Sequence, residues 1–260
     1  MNNLTFEDNW HHQFSLALAD HKIGCFFFSE DGFQLFRIDH QLIIHLVSLQ
    51  NSFIPQDLIA LQERHYQKGT KLIHLWEDLW LSKPGQVLAR IKSLLGKNSR
   101  IHGRKTNILK ITKPVADSFL NENHLQGGVT SRYKLGLFEK DQLVAVATFS
   151  GLRKMNHTEN YRSAELIRFA VKAGYSITGG LSKLISFFAS TYQPNDLMTY
   201  ADRDWSAGEA YTKLGFLQTA ILEPQIYSLD ENLNRVLKKD DRFFAQEVFN
   251  TGSFKFILQF

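Results

Sequence analysis

The segment Glu165–Ile185 constrains the fold of this chain more than any other part of the sequence. It starts with an apolar run that ends at Val171, which predicts a buried strand. Two adjacent glycines, Gly179 and Gly180, then precede an apolar stretch at helical spacing, 181–191. The first N–H groups of a helix are free to bind phosphate, and glycine lets a ligand approach them closely. The segment therefore predicts a strand–loop–helix unit, in which the two glycines form either a ligand-binding loop or a plain tight turn.

Strand and helix patterns alternate along the rest of the chain, which predicts an α/β (α+β) fold. A hairpin is expected at 23–38, and the run 41–49 fits a strand or a helix equally well. Pro55 and Gly69 bracket one expected helix, and Pro84 and Gly96 bracket a second. The polar and basic stretch 97–106 is expected to be a linker between a domain at 1–98 and a domain at 99–260. Further strands are expected at 71–76, 108–111, 133–138, 143–149, 165–171 and 197–201, and further helices at 114–123, 181–191 and 206–214.

The excess positive charge of the chain lies in one central segment. The formal net charge is +4, and residues 79–116 contain nine Lys and Arg residues and no Asp or Glu. Such a block is a candidate footprint for a polyanion, so the segment 83–113 is a candidate nucleic-acid contact, with a solvated helix face as the alternative. No aromatic residues interleave these basic residues, which argues against a stacking platform for single strands. The candidate contacts are Arg90, Lys92, Lys97, Arg100, Arg104 and Lys105.

Composition excludes several protein classes. The single cysteine, Cys25, cannot form an intramolecular disulfide, which fits a reducing compartment. No apolar run approaches the roughly 18 residues of a membrane span, and the first residues lack the pattern of a signal peptide. The histidines lack cysteine partners and the spacing of a zinc helix, so no metal site is expected. We therefore expect a cytoplasmic protein without a membrane partner.

The order of the later elements, together with the loop at Gly179, resembles the GNAT superfamily of N-acetyltransferases. In that superfamily a strand ending in Val leads into a loop of the form R/Q-x-x-G-x-G/A, and the next helix binds the pyrophosphate of acyl-CoA. The resemblance covers the chain from about Lys105 onward. It implies a mixed sheet flanked by helices, with acetyl-CoA or another acyl-CoA as co-substrate. The implied cofactor-binding residues are Val171, Gly179, Gly180, Ser182 and Lys183.

Three positions of this loop depart from the superfamily pattern. Ser176 stands where the superfamily has Arg or Gln, and Ile177 replaces the first glycine. Leu181 replaces the closing small residue, and its side chain could crowd the pyrophosphate. The resemblance thus implies the loop in an altered form.

A second phrase, AYTKLGF at 210–216, resembles the late helix signature Y-x-K-x-G-F of the same superfamily. The resemblance implies that Tyr211 protonates the departing CoA thiolate as a general acid, with a packed helix residue as the alternative. The amine acceptor also requires a base, often a carboxylate that acts through water. Glu165, Asp202 and Asp204 lie on or after the appropriate strands, and spacing does not choose among them. Asp204 also replaces the Asn that precedes the signature.

Several longer phrases resemble a narrower group of phage and mobile-element proteins that join a Vsr-like or HNH-type nuclease segment to a GNAT-like C-terminal domain. They include KGTKLIHLWEDLW at 68–80, VLARIKSLLGK at 87–97 and YADRDWSAGEAYTKLGF at 200–216. The resemblance implies a smaller, degenerate Vsr/PD-(D/E)XK-like α/β domain at the N-terminus. Such nucleases hold Mg²⁺ with clustered carboxylates, for which Asp39 and the pair Glu77 and Asp78 are the candidates. Because no E/D-x-K strand accompanies them, we interpret Glu77 and Asp78 as a solvated strand end.

Two function classes follow. The first is a GNAT-type N-acyltransferase that uses an acyl-CoA and an unknown amine. The second is a non-catalytic nucleic-acid-binding protein derived from a nuclease fusion, which would act through the segment 83–113. A scaffold in which both halves have lost their chemistry is a third hypothesis.

Overall fold

The computed structural model describes residues 10–155, 160–238 and 246–260, and they form two compact units. Unit 1 takes its described residues from Met1–Pro84, Asp202–Ala207 and Ile221–Ser253. Unit 2 takes them from Gly85–Ala201, Gly208–Ala220 and Phe254–Phe260. The two units are interleaved along the sequence and are defined by packing, so the predicted domains 1–98 and 99–260 stay a prediction. Both units combine strands and helices, which confirms the predicted α/β class.

The described helices alternate with strands throughout the chain. The helices are α1 (Trp10–Asp20), α2 (Pro55–Gln67), α3 (Glu77–Ser82), α4 (Pro84–Leu94), α5 (Lys113–Asn123), α6 (Gly180–Tyr192) and α7 (Glu209–Thr212), with a 3-10 turn at Gly103–Lys105.

The first eight strands are β1 (Phe26–Glu30), β2 (Phe33–Arg37), β3 (Leu42–Val47), β4 (Lys71–Trp76), β5 (Ser99–His102), β6 (Thr106–Lys110), β7 (Tyr133–Glu139) and β8 (Gln142–Phe149). The next five are β9 (Arg153–Lys154), β10 (Arg162–Val171), β11 (Tyr175–Thr178), β12 (Asp196–Asp202) and β13 (Leu217–Leu222). The last four are β14 (Ile226–Leu229), β15 (Arg235–Leu237), β16 (Glu247–Phe249) and β17 (Ser253–Gln259).

Unit 1 contains a four-stranded sheet in the order β1-β2-β3-β4. β1 and β2 form the predicted hairpin, and β3 runs parallel to β4 after the crossover helix α2. The run 41–49, which periodicity left open, is strand β3, and all six of its residues are buried. A strand buried on both faces has no alternation of polar and apolar residues, which is why its pattern also fitted a helix. A second sheet of unit 1 has the order β15-β14-β16.

A buried ion pair connects these parts of unit 1. Both oxygens of Asp78, which is 1% exposed, accept hydrogen bonds from Arg235, at 2.7 Å from Nε and 2.9 Å from Nη2. Glu77 accepts the amide of Leu49 at 2.8 Å. The interpretation of Glu77 and Asp78 as a solvated strand end is therefore wrong for Asp78. Its carboxylate is buried because it pairs with Arg235, which is distant in the sequence. Within the described ranges, no cluster of His, Cys, Asp and Glu is suited to hold a metal ion, and the nuclease ancestry of this unit stays a prediction.

Unit 2 is built on a large mixed sheet whose main path is β13-β17-β12-β10-β8-β7-β6, with β9 paired to β10. Helix α6 packs Leu184, Ile185 and Phe188 against one face, where the rings of Phe188 and Phe149 stack at 4.0 Å between centroids. Helix α5 packs against the other face through a smaller cluster that includes Phe119. Each strand and helix predicted from 108 to 201 is present in the predicted order, with the short strands β9 and β11 as additions in predicted loops, and the flanking helices are those that the GNAT resemblance implied.

Two expectations for unit 2 are wrong. The stretch 97–106 is no linker: it contains β5, which pairs in parallel with β11, followed by the Gly103–Lys105 turn. The helix expected at 206–214 is only α7, Glu209–Thr212. It starts late because Gly208 has φ +80°, a conformation that does not continue a helix. In the part of the chain that the structure describes, no helix is long and apolar enough to cross a membrane.

Two histidines lie side by side in the unit 1 core. His45 on β3 and His74 on β4 are register partners, both are completely buried, and their Nδ1 atoms are 3.0 Å apart. Burial, with repulsion from His11 as the smaller cause, lowers the pKa of His45 to about 3. Burial also lowers the pKa of His74 well below its ordinary value. Both rings are therefore neutral in the folded protein at neutral pH.

We expect His45 and His74 to make unit 1 less stable as the pH drops below about 6.5. Unfolded histidine has a pKa of 6.5 and folded His45 one of about 3, so between these values the unfolded state binds more protons. The stabilisation is complete above pH 6.5 and is lost at about 1.4 kcal/mol per pH unit for each proton. All four tryptophans, at positions 10, 76, 80 and 205, belong to unit 1, so tryptophan fluorescence in urea at pH 7 and pH 5 measures its unfolding.

Two variants serve as controls for this prediction. His45→Leu should reduce the pH dependence by about one proton. His40→Gln, at an exposed position, should leave it unchanged. If the unfolding free energy of His45→Leu fell between pH 7 and pH 5 by as much as that of wild type, the role of the buried pair would be contradicted, because the opposite contribution of Asp204 is common to both proteins.

Candidate functional site

The sheet of unit 2 opens between its two parallel central strands. β10 and β12 pair only at Ser163, Ala164 and Glu165, although β10 continues to Val171. A register shift between Leu166 and Arg168 in the pairing of β10 with β8 marks a bulge just after the last of these pairs. A bulge bends a strand and ends pairing locally. The opening therefore lies on the carboxyl side of the paired segment, where open α/β sheets bind ligands.

Thr199 occupies the point at which the strands part. It follows Met198, the last β12 residue paired with β10. Its Oγ1 donates to the carbonyl oxygen of Leu166 at 3.0 Å, and both residues are buried. A side chain thus satisfies a backbone acceptor at the start of the opening, as buried carbonyls require.

Two glycines start helix α6 for different physical reasons. Gly179 is the residue before the helix and has φ +74°, which favours glycine, and nothing lies within 4 Å of the Cβ that it lacks. Gly180 is buried, and an added Cβ would lie 2.6 Å from Ile177 and 3.1 Å from Leu137. The Ile177 side chain is therefore accommodated because position 180 has no side chain.

The first turn of α6 has unpaired amides. Gly179 provides no side-chain cap, and no acceptor among the described residues pairs with the N–H groups of Gly180, Leu181 or Ser182. The Leu181 side chain is half-buried and packs against the core of unit 2. A leucine at this position therefore points into the core instead of blocking the end of the helix.

The Gly103–Lys105 turn is fastened to this end of α6. Lys183 donates through Nζ to the carbonyl oxygen of Gly103 at 3.0 Å and also to that of Thr106. An added Cβ at Gly103 would lie 3.0 Å from the oxygen of Thr178 and 3.1 Å from the backbone of Gly179 and Gly180. The ammonium group of Lys183, predicted as a phosphate ligand, is engaged with these carbonyls.

Tyr211 lies in the same core as α6. Its ring is 5.6 Å from both Phe216 and Phe256 between centroids. Burial raises the pKa of its hydroxyl, and a hydrogen bond with Thr199 lowers it by a smaller amount. The hydroxyl is therefore protonated at neutral pH and lies beside the residue at which β10 and β12 part. This geometry suits a proton donor, although the residue is also packed as a core residue would be.

Glu165 lies at the last paired position of β10. Its side chain is 18% exposed, and its Oε2 is 3.6 Å from Arg153. Its charge also raises the pKa of Tyr200, after burial as the larger cause. Glu165 is thus an accessible carboxylate at the edge of the opening.

The other two candidate bases, Asp202 and Asp204, belong to unit 1. Asp202 accepts the amide of Asp204 at 3.0 Å. Asp204 is buried and accepts the hydroxyl of Thr251 at 2.6 Å and its amide at 2.9 Å. Burial, and then repulsion from Asp202, raise the pKa of Asp204 to about 7. Both carboxylates form hydrogen bonds within the turn and core of unit 1.

The six basic candidates do not share one environment. Arg90 and Lys92 on α4 are half-buried, whereas Lys97, Arg100, Arg104 and Lys105 are exposed. The exposed ones lie on or beside β5 and the Gly103–Lys105 turn. These four candidates therefore lie along the stretch whose Gly103 packs against the start of α6.

Comparisons with known proteins give structural similarities only. No family model and no curated protein matches this sequence. An acetyltransferase from Bacillus subtilis in complex with CoA has 15% identity and a TM-score of 0.39, over 60% of this chain and 99% of that chain. A GNAT family acetyltransferase from Elizabethkingia anophelis with acetyl-CoA bound has 13% identity and a TM-score of 0.36, over 60% and 99%. The ribosomal-protein-S18-alanine N-acetyltransferase from Escherichia coli has 16% identity and a TM-score of 0.39, over 59% and 93%.

Sequence reasoning missed the part that β5 and the Gly103–Lys105 turn play at this site. The stretch 97–106 is short, polar and basic, which is typical of a linker. The alternation of exposed Arg100, buried Ile101 and exposed His102 was the available signal. The matching alternation of polar and apolar residues in Ser176, Ile177 and Thr178 lies in a segment that the sequence predicts as a loop.

We expect Gly103→Ala to destabilise unit 2 by about 1–3 kcal/mol, because its Cβ would overlap backbone atoms that cannot move as a side-chain tip can. The matched control is Gly85→Ala on α4, where nothing lies within 4 Å of the added carbon. That substitution should be neutral or stabilise by up to about 1 kcal/mol. Urea unfolding followed by far-ultraviolet circular dichroism measures both, and equal midpoints for Gly103→Ala and wild type would contradict the close contact.

Proposed function

We propose that unit 2 is an acyltransferase domain that binds acetyl-CoA or another acyl-CoA and transfers the acyl group to an amine. One observation carries this proposal: the parallel strands β10 and β12 part after Glu165, and the same βαβ crossover presents the unpaired amides of α6. The loop phrase and the signature at 210–216 support the same assignment.

The two ends of an acyl-CoA fit two parts of this site. Its diphosphate is a compact dianion, and the amides after Gly179 offer donors at the positive end of a helix dipole. Its pantetheine arm is extended and contains amide groups. Beyond Glu165 no β12 residue pairs with β10, so that edge offers backbone groups to an extended amide chain, as a sheet edge does for an added strand. Val171 is the last residue of β10, from which the chain continues to the proposed diphosphate site at Gly179.

Transfer requires two proton movements, and two side chains suit them. The amine nitrogen attacks the thioester carbonyl carbon, the C–S bond breaks, and the nitrogen loses a proton. Tyr211, protonated and beside Thr199, is the proposed donor to the departing thiolate. Glu165, half-buried at the edge of the opening, is the proposed acceptor of the amine's proton, directly or through water. We favour it over Asp202, whose carboxylate already accepts an amide in its own turn.

The alternative function is nucleic-acid binding through the segment 83–113. It is favoured by the exposure of Lys97, Arg100, Arg104 and Lys105. Binding to phosphates would then weaken steeply with added salt. A duplex-DNA binding curve at two salt concentrations, measured beside the CoA titration, compares the two functions directly.

We expect acetyl-CoA to raise the melting temperature of the protein and Gly179→Asp to abolish this rise. Ligand at about 100 times its Kd stabilises by about 2.7 kcal/mol. The aspartate would place a negative charge beside the amides that hold the diphosphate. Gly179→Asn is the matched control, because both side chains tolerate positive φ and nothing lies within 4 Å of a Cβ added at this position. Asn should retain most of the shift, and the absence of a wild-type shift at millimolar acetyl-CoA would contradict the proposal.

We expect Tyr211→Phe to lower kcat by about 10²-fold or more while leaving the affinity for CoA nearly unchanged. Loss of the hydroxyl removes the proton donor and keeps the ring that packs on Phe216 and Phe256. Release of free thiol from acetyl-CoA, measured across a panel of amines, gives kcat, and calorimetry gives the affinity. Equal turnover of Tyr211→Phe and wild type would assign Tyr211 to packing alone.

A further inference from the structure

One basic residue stands in register with the loop position at which this chain has neither Arg nor Gln. The GNAT loop has Arg or Gln where this chain has Ser176. β5 and β11 form a parallel ladder in which Arg100 pairs with Ser176 and Ile101 pairs with Ile177. Paired residues on neighbouring strands lie about 4.8 Å apart and project from the same face.

The face that Arg100 occupies is the outward one. Ile101 is buried in the core of unit 2 and Ile177 packs against that core. Because successive side chains of a strand alternate, Arg100 and Ser176 project from the opposite face. The next outward pair is His102 with Thr178, and Gly179 follows immediately. Arg100 thus lies on the approach to the unpaired amides of α6.

The guanidinium of Arg100 is available to a ligand. The residue is exposed, and no acidic side chain forms an ion pair with it anywhere in 10–155, 160–238 or 246–260. Ser176 is small, so it leaves free the space that a longer side chain at 176 would fill. The ladder fixes the backbone of Arg100, since the Gly103–Lys105 turn that follows it is held by Lys183. An arginine on a fixed backbone suits bidentate contact with phosphate oxygens.

We propose that Arg100 binds the diphosphate of the acyl-CoA and supplies from β5 the N–H donors that the short Ser176 side chain does not provide. This inference rests on the proposed acyl-CoA binding of unit 2. It assigns part of the basic segment to a small phosphate ligand in place of nucleic acid.

The test removes the arginine from β5 and, in a second variant, places an arginine at the paired position on β11. Calorimetry measures the Kd of CoA and of dephospho-CoA, which lacks the 3′-phosphate but keeps the diphosphate. Arg100→Ser should weaken both ligands by about tenfold or more, and by similar factors, because a charge-assisted contact is worth at least this much. The double variant Arg100→Ser with Ser176→Arg should recover most of the loss. Lys154→Ser, which removes one exposed positive charge from β9, is the control for net charge and should change neither Kd.

Each contrary result has its own meaning. If wild type binds no CoA, the proposed function fails and this inference fails with it. If wild type binds CoA and Arg100→Ser binds it equally well, only this inference fails. If Arg100→Ser weakens CoA but not dephospho-CoA, the diphosphate assignment is overturned. If the double variant is as stable as wild type but still binds CoA weakly, an arginine at 176 cannot replace Arg100, and the proposed compensation is overturned. If Arg100→Ser weakens duplex DNA binding and leaves CoA unchanged, the residue belongs to a nucleic-acid surface.

Discussion

The parting of β10 from β12 is the constraint on which the rest of unit 2 depends. Two parallel strands that paired along their whole length would leave no room between them, and here pairing stops after Glu165. The bulge after Leu166 bends β10, and Thr199 satisfies the carbonyl that the separation exposes. The opening brings together features that are distant in sequence, since the Tyr211 hydroxyl lies close to Thr199 and the crossover from β10 to β12 contains α6.

Residues from an earlier part of the chain fix the position of the start of α6. β11 cannot form a ladder within the loop, and β5 supplies its partner from about 75 residues earlier in the chain. Lys183 and Gly103 then join the helix to the turn after β5, one through hydrogen bonds and the other through the absence of a side chain. A phosphate site needs rigid donors, because ordering a mobile loop would reduce the affinity gained from binding. The stretch 97–106 therefore contributes structure to the proposed site.

The sequence predicted the strands and helices of unit 2 wherever a single segment carried its own signal. The apolar run to Val171, the glycines before α6 and the amphipathic pattern of α6 needed no partner to be recognised. What it could not predict depends on pairing. β5 is four residues long, and β11 lies in a segment predicted as a loop. The sequence pattern of each therefore resembles an irregular segment, and their strand character depends on the pairing between them. The burial of Asp78 was hidden for the same reason, since its partner Arg235 lies 157 positions away.

The most direct test of this account is a crystal structure of the protein grown with CoA. We predict electron density for the diphosphate beside the amides of Gly180, Leu181 and Ser182, and for the pantetheine arm along β10 beyond Glu165. Density for CoA at any other surface, or none at saturating concentration with the opening closed by protein atoms, would contradict it. The assignment of unit 2 as an acyl-CoA-binding domain would then have to be abandoned.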